Sequence, residues 1–236
     1  MTSGNHFWEQ QEQVEKFAAR EPDLRLTGLL KTYPEPSSVR VLDLGCAGGR
    51  NTGLLARDGF DFHAVDSAAA MVARTRERVA QFVGDEIAER RVRLGRMEDL
   101  GDLRDETFGL VVALGIYHQA ESHAHWNRAL AETHRVLGAG GLVLTSTFSP
   151  RSQPRGMPLR PVPGEEHMYD GFSSGPLCLV TADEWDAAML ALGFVTHSVT
   201  ETVRVETEGG FRVTVNGLYC KAAGEGPRPD EAMLPR

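Results

Sequence analysis

Two acids and a cluster of glycines carry the clearest chemistry in this chain. Asp43 lies in the short apolar run from Arg40 to Leu44, and Gly45, Gly48 and Gly49 follow before a helical pattern resumes at Arg50. The pattern reads as strand, tight turn, helix. Glycines there permit positive φ and let a ligand lie against bare backbone, while the free N–H groups of the helix start face outward. A second acid, Asp66, closes the next apolar run, Phe60 to Val65. An acid about 20 residues past a glycine turn, at the end of the neighbouring strand, is placed to hold a ribose diol. The glycine order differs from the G-x-G-x-x-G of a dinucleotide turn, and a carboxylate ahead of it would repel a pyrophosphate but hold or orient a cationic amine. The expected ligand is therefore a nucleoside with an ammonium group. A purely structural turn, with Asp43 capping the helix, is the competing reading.

Histidines supply the other chemistry. His118, His123 and His125 crowd the stretch Gly115 to Trp126, which follows the apolar run Phe108 to Leu114. Neutral imidazole is a common metal ligand. The spacing matches no familiar ligand frame, however, and a helix is expected from Ser122, on which His123 and His125 would project about 200° apart. No metal is expected. His118, with an unperturbed pKa near 6.5, is the candidate general base, with Tyr117 beside it; a structural or ligand-flanking histidine is the alternative.

Positioning these groups calls for alternating strands and helices. A helical stripe of Phe7, Gln11, Val14 and Ala18 runs from His6 to Ala19, and a second short helix covers Leu24 to Lys31. Pro34 and Pro36 with Ser37 and Ser38 lead into the first strand. Ser67 is the expected N-cap of a helix reaching Phe82, with Met71, Val72, Thr75, Val79 and Phe82 on its buried side. Val92 to Gly95 forms a third strand, Phe108 to Leu114 a central fourth, and Leu142 to Phe148 a fifth. Between the last two, a helix from Ser122 to Leu137 is expected to end at Gly138-Ala139-Gly140-Gly141. Thr181-x-x-Glu184 opens a last helix, and Phe194 to Glu208 with Phe211 to Ala222 reads as a hairpin around Gly209-Gly210. In such open sheets ligands bind at the carboxyl ends of strands, so the loop after Leu114 faces the reacting centre.

The turn at Asp43, Gly45 and Gly49 resembles the Asp-x-Gly-x-Gly-x-Gly turn of the class I S-adenosylmethionine-dependent methyltransferases, with Ala47 at the usual middle glycine. Gly95, Glu98, Asp99 and Leu100 match the family's Gly-Asp-Ala-Glu-Asp-Leu segment, Arg96 replacing an acid. Leu130 to Gly141 matches its Leu-x-x-x-x-Arg-Val-Leu-x-x-Gly-Gly phrase. These landmarks span residues 40–148. The resemblance implies an α/β, Rossmann-like three-layer sandwich with a seven-stranded, mostly parallel sheet holding one antiparallel strand. It also implies S-adenosylmethionine bound by Asp43, Gly45, Cys46, Ala47, Gly48, Gly49, Asn51, Asp66, Ser67, Met71, Met97, Glu98 and Leu114. Methyl transfer by in-line displacement to an O, N or S nucleophile of a small molecule would follow, with Trp8, Tyr117, His167 and Tyr169 on the acceptor side. Gly49-Arg50-Asn51-Thr52 is similar to the turn of tellurite and thiol methyltransferases, and the absence of Asn-Pro-Pro-Tyr after the fourth strand disfavours amino-methylation of DNA.

Composition narrows the partners. The chain has 236 residues and a formal net charge of −8, which argues against a broad phosphate-binding surface. An RNA or protein methyltransferase, supported by Arg90, Arg91, Arg93 and Arg96, and a non-catalytic nucleoside binder remain alternatives. Cys46, Cys178 and Cys220 lie far apart and suggest reduced thiols. No apolar stretch approaches the roughly 18 residues of a membrane span and no signal pattern opens the chain, so a cytoplasmic protein is expected. Residues 1–36 read as leading helices that cover the site, 37–222 as the methyltransferase domain and 223–236 as a flexible tail. Within the domain, the proline-rich stretch 149–180 reads as a lid whose Arg151, Arg155 and Arg160 could receive an anionic substrate.

Overall fold

Ten strands form two sheets in the computed structural model, which describes residues 7–223. They are β1 (Arg40–Leu44), β2 (Asp61–Asp66), β3 (Val92–Leu94), β4 (Phe108–Leu114), β5 (Leu137–Phe148), β6 (Arg160–Pro161), β7 (Met168–Asp170), β8 (Leu177–Cys178), β9 (Phe194–Thr207) and β10 (Gly210–Lys221). Seven of them make the main sheet, in the order β3-β2-β1-β4-β5-β10-β9. β10 runs antiparallel to both of its neighbours, and the other pairings in this sheet are parallel. The expected sheet, with its single antiparallel strand, is the one observed. Helices α1 (Gln11–Ala18), α2 (Leu24–Leu30), α3 (Arg50–Arg57), α4 (Ala69–Val83), α5 (Asp85–Arg91), α6 (His123–Val136) and α7 (Ala182–Ala191) cover it. The predicted tail lies outside the described residues from 224 onward.

The sequence of β4 shows why the sheet is sandwiched. Its run Leu110-Val111-Val112-Ala113 is apolar at every position, and alternate side chains leave on opposite faces. Leu110 and Val112 pack with Leu54, Phe62, Val72 and Val79 on one face, whereas Val111 and Ala113 join Trp126, Leu130 and Trp185 on the other. Each of these four strand residues is fully buried. Strand order reverses between β1 and β4, which puts the crevice outside their carboxyl ends, where Gly45 and Gly115 sit.

Four local expectations change. The glycines from Gly138 to Gly141 do not end α6 in a turn; the chain passes directly into β5, whose Leu137 is buried and registers against Phe108. Ladder formation overrides the glycines' weak strand propensity. Helix α5, unforeseen in the sequence, has Asp85 and Glu86 in its first turn and Arg90 and Arg91 in its last, as the helix dipole favours. Ser67 is not the cap of α4. Asp66 Oδ1 accepts from the Ala68 N–H at 3.0 Å, and the Glu9 carboxylate accepts from the Ala69 and Ala70 N–H groups at 2.7 and 2.9 Å. Phe82 on the same helix is exposed. The capping box of α7, in contrast, forms as read: Thr181 and Glu184 exchange reciprocal bonds.

The stretch 149–180 is ordered by its own pairing. Strands β6, β7 and β8 make a small antiparallel sheet. Leu159, Leu177 and Leu179 pack beneath it against Phe148, Tyr169 and Phe172.

Candidate active site

A cavity of about 400 Å³ opens at the carboxyl ends of β1, β2 and β4. Gly45, Cys46, Ala47 and Asn51 from the turn and α3 line it, with Asp66, Ser67 and Met71 from β2 and α4, Met97 and Glu98 after β3, and Leu114 at the end of β4. All are residues that the sequence assigned to a cofactor. Trp8, assigned to the acceptor side, lines it too, edge-on to Phe17 with centroids 5.1 Å apart.

Asp43, Gly48 and Gly49 do not line the cavity; they hold the turn from beneath. Asp43 is 2% exposed, and its Oδ2 accepts a hydrogen bond from Thr52 Oγ1 at 2.6 Å. Burial pushes its pKa up to about 6, with the Thr52 bond opposing the rise. A buried anion with so little compensation suits a cation bound just above it. Gly49 has φ +76, and a Cβ there would come within 2.9 Å of Thr75 Oγ1; a Cβ on Gly48 would lie 2.7 Å from the Ala18 backbone. These two glycines let the turn pack on α4 and α1. Gly45 serves the cavity itself: at φ +77 its missing Cβ would lie 2.9 Å from Ile116 Cδ1.

Asp66 joins the turn to α4. Its Oδ2 accepts from the Ala47 N–H at 2.8 Å while Oδ1 accepts from the Ala68 N–H, and burial raises its pKa against the pull of those bonds. An ionised carboxylate offers about four acceptor positions, so two remain for hydroxyls in the cavity. Ala47 adopts a left-handed φ of +48, the conformation for which glycine is usual at this position. The Thr75 hydroxyl steadies it by donating to the Ala47 carbonyl at 2.6 Å. A diol acceptor, an apolar slot of Met71, Met97 and Leu114, and a buried anion under bare backbone together fit a cationic nucleoside.

Glu98 is engaged on both sides. Arg96 Nε donates to its Oε1, and His125 Nε2 lies 2.8 Å from Oε2, close enough for an ion pair but off the hydrogen-bond axis. Burial would raise the Glu98 pKa; the Arg96 and His125 contacts win and lower it. His125, Gln119 and Glu121 line the cavity and were not assigned to it from the sequence. The signal available was the Ser122 cap, which starts α6 three residues before His125 and turns that ring inward.

Tyr117 and His118 occupy a short 3₁₀ turn, Tyr117–Gln119, and point away from the cavity. Tyr117 is fully buried and its hydroxyl meets Thr133 Oγ1 at 2.8 Å, while burial raises its pKa. The His118 ring stacks on Phe148 at 4.0 Å and 14°, and its Nδ1 has no hydrogen-bond partner among the described residues. Burial drives its pKa down to about 3. Such a ring is neutral at pH 7, yet packing separates it from the wall where an acceptor would sit.

His167 and Tyr169 also lie off the cavity: Tyr169 packs against Leu159 and Phe172, and His167 faces Glu166 and His123. From the insertion it is Met168, Ser174, Pro176 and Leu177 that reach the wall; within β7, Met168 and its neighbour Tyr169 point to opposite sides. Arg160 pairs with Asp170 at 2.6 Å, and neither it nor Arg151 nor Arg155 lines the cavity. Of the arginines near β3, Arg91 pairs with Asp61 at 2.9 Å, Arg93 lies 3.7 Å from Asp102 and Arg96 pairs with Glu98, while Arg90 is exposed. Among the described residues no helix is long and apolar enough to cross a membrane.

Comparison with known proteins agrees with this geometry. A family model described as a methyltransferase domain matches residues 41–141. A ubiquinone biosynthesis O-methyltransferase of Azorhizobium caulinodans is 27% identical over 186 residues, 75% of this chain and 67% of that protein. The fold is similar to a SAM-dependent methyltransferase of Methanosarcina mazei, with a TM-score of 0.67 at 16% identity, covering 83% of this chain and 98% of the other. It is also similar to a Burkholderia thailandensis 1,6-didemethyltoxoflavin N1-methyltransferase solved with its substrate and S-adenosylhomocysteine. That likeness has a TM-score of 0.58 at 20% identity and covers 93% and 83% of the two chains.

Proposed function

Because this chain is a class I S-adenosylmethionine-dependent methyltransferase, we propose that its cavity serves methyl transfer to a small, uncharged, largely apolar acceptor. The observation that carries the acceptor class is the mainly apolar wall contributed beside the cofactor residues: Ile116, Ala120, Met168, Pro176 and Leu177, with Gln119, Glu121, His125 and Ser174 as its polar members and no cationic side chain from the insertion among them. A small molecule is also what the printed names of the O-methyltransferase relative and the N1-methyltransferase neighbour describe.

S-adenosylmethionine, when bound, supplies a sulfonium methyl group for in-line displacement. Asp66 holds hydroxyls, Met71, Met97 and Leu114 enclose a planar base, and Asp43 sets the field under a cationic amine. The residues after β4 and from the insertion orient the acceptor and exclude water. Alignment of this kind is worth effective molarities of roughly 10⁵–10⁸ M. Tyr117 and His118 are packed away from the wall, so neither takes the acceptor's proton; Glu121 and His125, which line the cavity, are the groups after β4 placed to receive it. The cysteines are free, two of them buried, which fits a reducing compartment such as the cytoplasm.

Calorimetric titration with S-adenosylhomocysteine and with NADH tests the cofactor. Wild type should bind the first and ignore the second, and Asp66→Asn should weaken binding by about 1.5–3 kcal/mol, the scale of hydrogen bonds to a charged group. A parallel melting curve is needed, since Asp66 also holds the turn. Binding of NADH instead would overturn the cofactor. An acceptor screen over phenols, thiols, amines and carboxylates then tests the class; turnover confined to carboxylates would overturn an uncharged acceptor.

A further inference from the structure

We propose that His123, Glu166 and His167 form a binding site for a divalent transition ion, of the zinc class, that pins the insertion to α6. The sequence spacing gave no metal frame because it weighed His123 against His118 and His125. The structure separates those three: His125 turns into the cavity and His118 into the core, while His123 turns outward to meet two residues of the insertion. One nitrogen from each of His123 and His167 and one oxygen from Glu166 lie within 4.8 Å of one another.

Their separations favour an ion over direct pairing. His123 Nε2 is 3.7 Å and His167 Nε2 3.5 Å from the two Glu166 oxygens, longer than a hydrogen bond. Ligand atoms about 2.1 Å from a tetrahedral zinc stand about 3.4 Å apart; the two nitrogen–oxygen separations are close to that, and the three ligand atoms, all within 4.8 Å of one another, need only a small inward shift to meet it. Two imidazoles and a carboxylate suit zinc, nickel, copper or cobalt and are a poor set for magnesium. On its far side His167 Nδ1 lies 4.0 Å from Glu184 Oε1, too far for a hydrogen bond but near enough for the carboxylate to close on the ring once a metal holds it. Independently, His167 holds a left-handed φ of +57, a strained backbone for a histidine that its surroundings must repay. Glu166 is largely exposed, so the remaining coordination position opens to water.

The consequence is mechanical. Met168, the next residue along, lines the cavity, and so does His125 on the first turn of α6. An ion at this point ties the wall supplied by the insertion to the helix that supplies the opposite wall. The role is structural and stands apart from methyl transfer, so it survives if the acceptor class proposed above fails.

The test is titration of the full chain, stripped with chelator and carrying Cys220→Ser to remove a partly exposed thiol, with zinc chloride, cobalt chloride and magnesium chloride. We expect one zinc per chain with micromolar or tighter affinity, visible-region cobalt bands of a tetrahedral site, no magnesium binding, and a higher melting temperature with zinc. Glu166→Gln, on an exposed side chain, and His167→Asn, which tolerates left-handed backbone, should each weaken zinc binding at least tenfold and cancel its effect on melting. Absence of binding at 100 µM zinc, or binding unchanged in both variants, would overturn the site.

Discussion

Thr52 Oγ1 donates to Asp43 Oδ2 across 2.6 Å beneath the glycine turn, and both residues are shut off from solvent. The carboxylate's pKa of about 6 lies above its value near 3.9 in an unfolded chain. The native state therefore binds this proton more readily than the unfolded state. Its burial costs nothing below about pH 4 and grows to about 3 kcal/mol above about pH 6. An asparagine at this position would still accept from Thr52, without a charge. Asp43→Asn should melt higher than wild type at pH 7.5, the gap closing at pH 4.5, while S-adenosylhomocysteine binds at least tenfold more weakly. Scanning calorimetry at the two pH values decides; an equal gain at both would show that charge burial is not the cause.

His118 titrates in the opposite sense. Its folded pKa of about 3 lies below the unfolded 6.5, so the stability it permits is complete above pH 6.5 and is lost as pH falls toward 3. The slope is about 1.4 kcal/mol per pH unit in that window. Between about pH 4 and 6 it opposes the contribution of Asp43, and wild type should look flatter there than either group alone would make it. His118→Phe keeps the stack on Phe148 and should remove the acid-side loss. Activity at pH 7 should change less than threefold, whereas a loss of about 10²-fold or more would reinstate His118 as a general base.

Much of this arrangement was legible in the residues. The all-apolar β4, the Asp43-to-Gly49 turn and Asp66 each reflect a local rule: burial on both faces, positive φ, and a strand-end acid. Met71, Met97, Glu98 and Leu114, which the family resemblance and not a local rule implied for the cofactor, line the same cavity. What escaped depends on contacts distant in sequence. Glu9 caps α4 across an interval of 60 residues, and the histidine roles were set by which way the first turn of α6 faces. His118 looked like a base because its residue type and loop position fit; only packing against Phe148 shows the ring turned inward. The insertion read as irregular because its strands are two or three residues long, too short to show a period.

Glu9 ties the leading segment to the cofactor pocket through the Ala69 and Ala70 N–H groups, next to Trp8 in the cavity wall. An acid at a helix N-terminus contributes about 0.3–1 kcal/mol through the dipole. Glu9→Ala should therefore cost little stability but release the segment. S-adenosylhomocysteine should dissociate severalfold faster with little change in its association rate, as stopped-flow displacement would read. An unchanged off-rate would mean that Trp8 holds its place without the cap.

Gly45 separates two kinds of requirement at one position. A Cβ there meets Ile116 Cδ1 at 2.9 Å, and φ +77 strains any L side chain whatever room is made. Strain of that kind costs about 1–2 kcal/mol per residue. Gly45→Ala should abolish measurable S-adenosylhomocysteine binding and lower stability by more than the strain alone, since Ile116 must move. Adding Ile116→Ala removes the clash and leaves the strain, so the double variant should recover part of the binding and none of the conformational cost. Full recovery would mean that room for the Ile116 side chain, and not the left-handed backbone, is what the glycine provides.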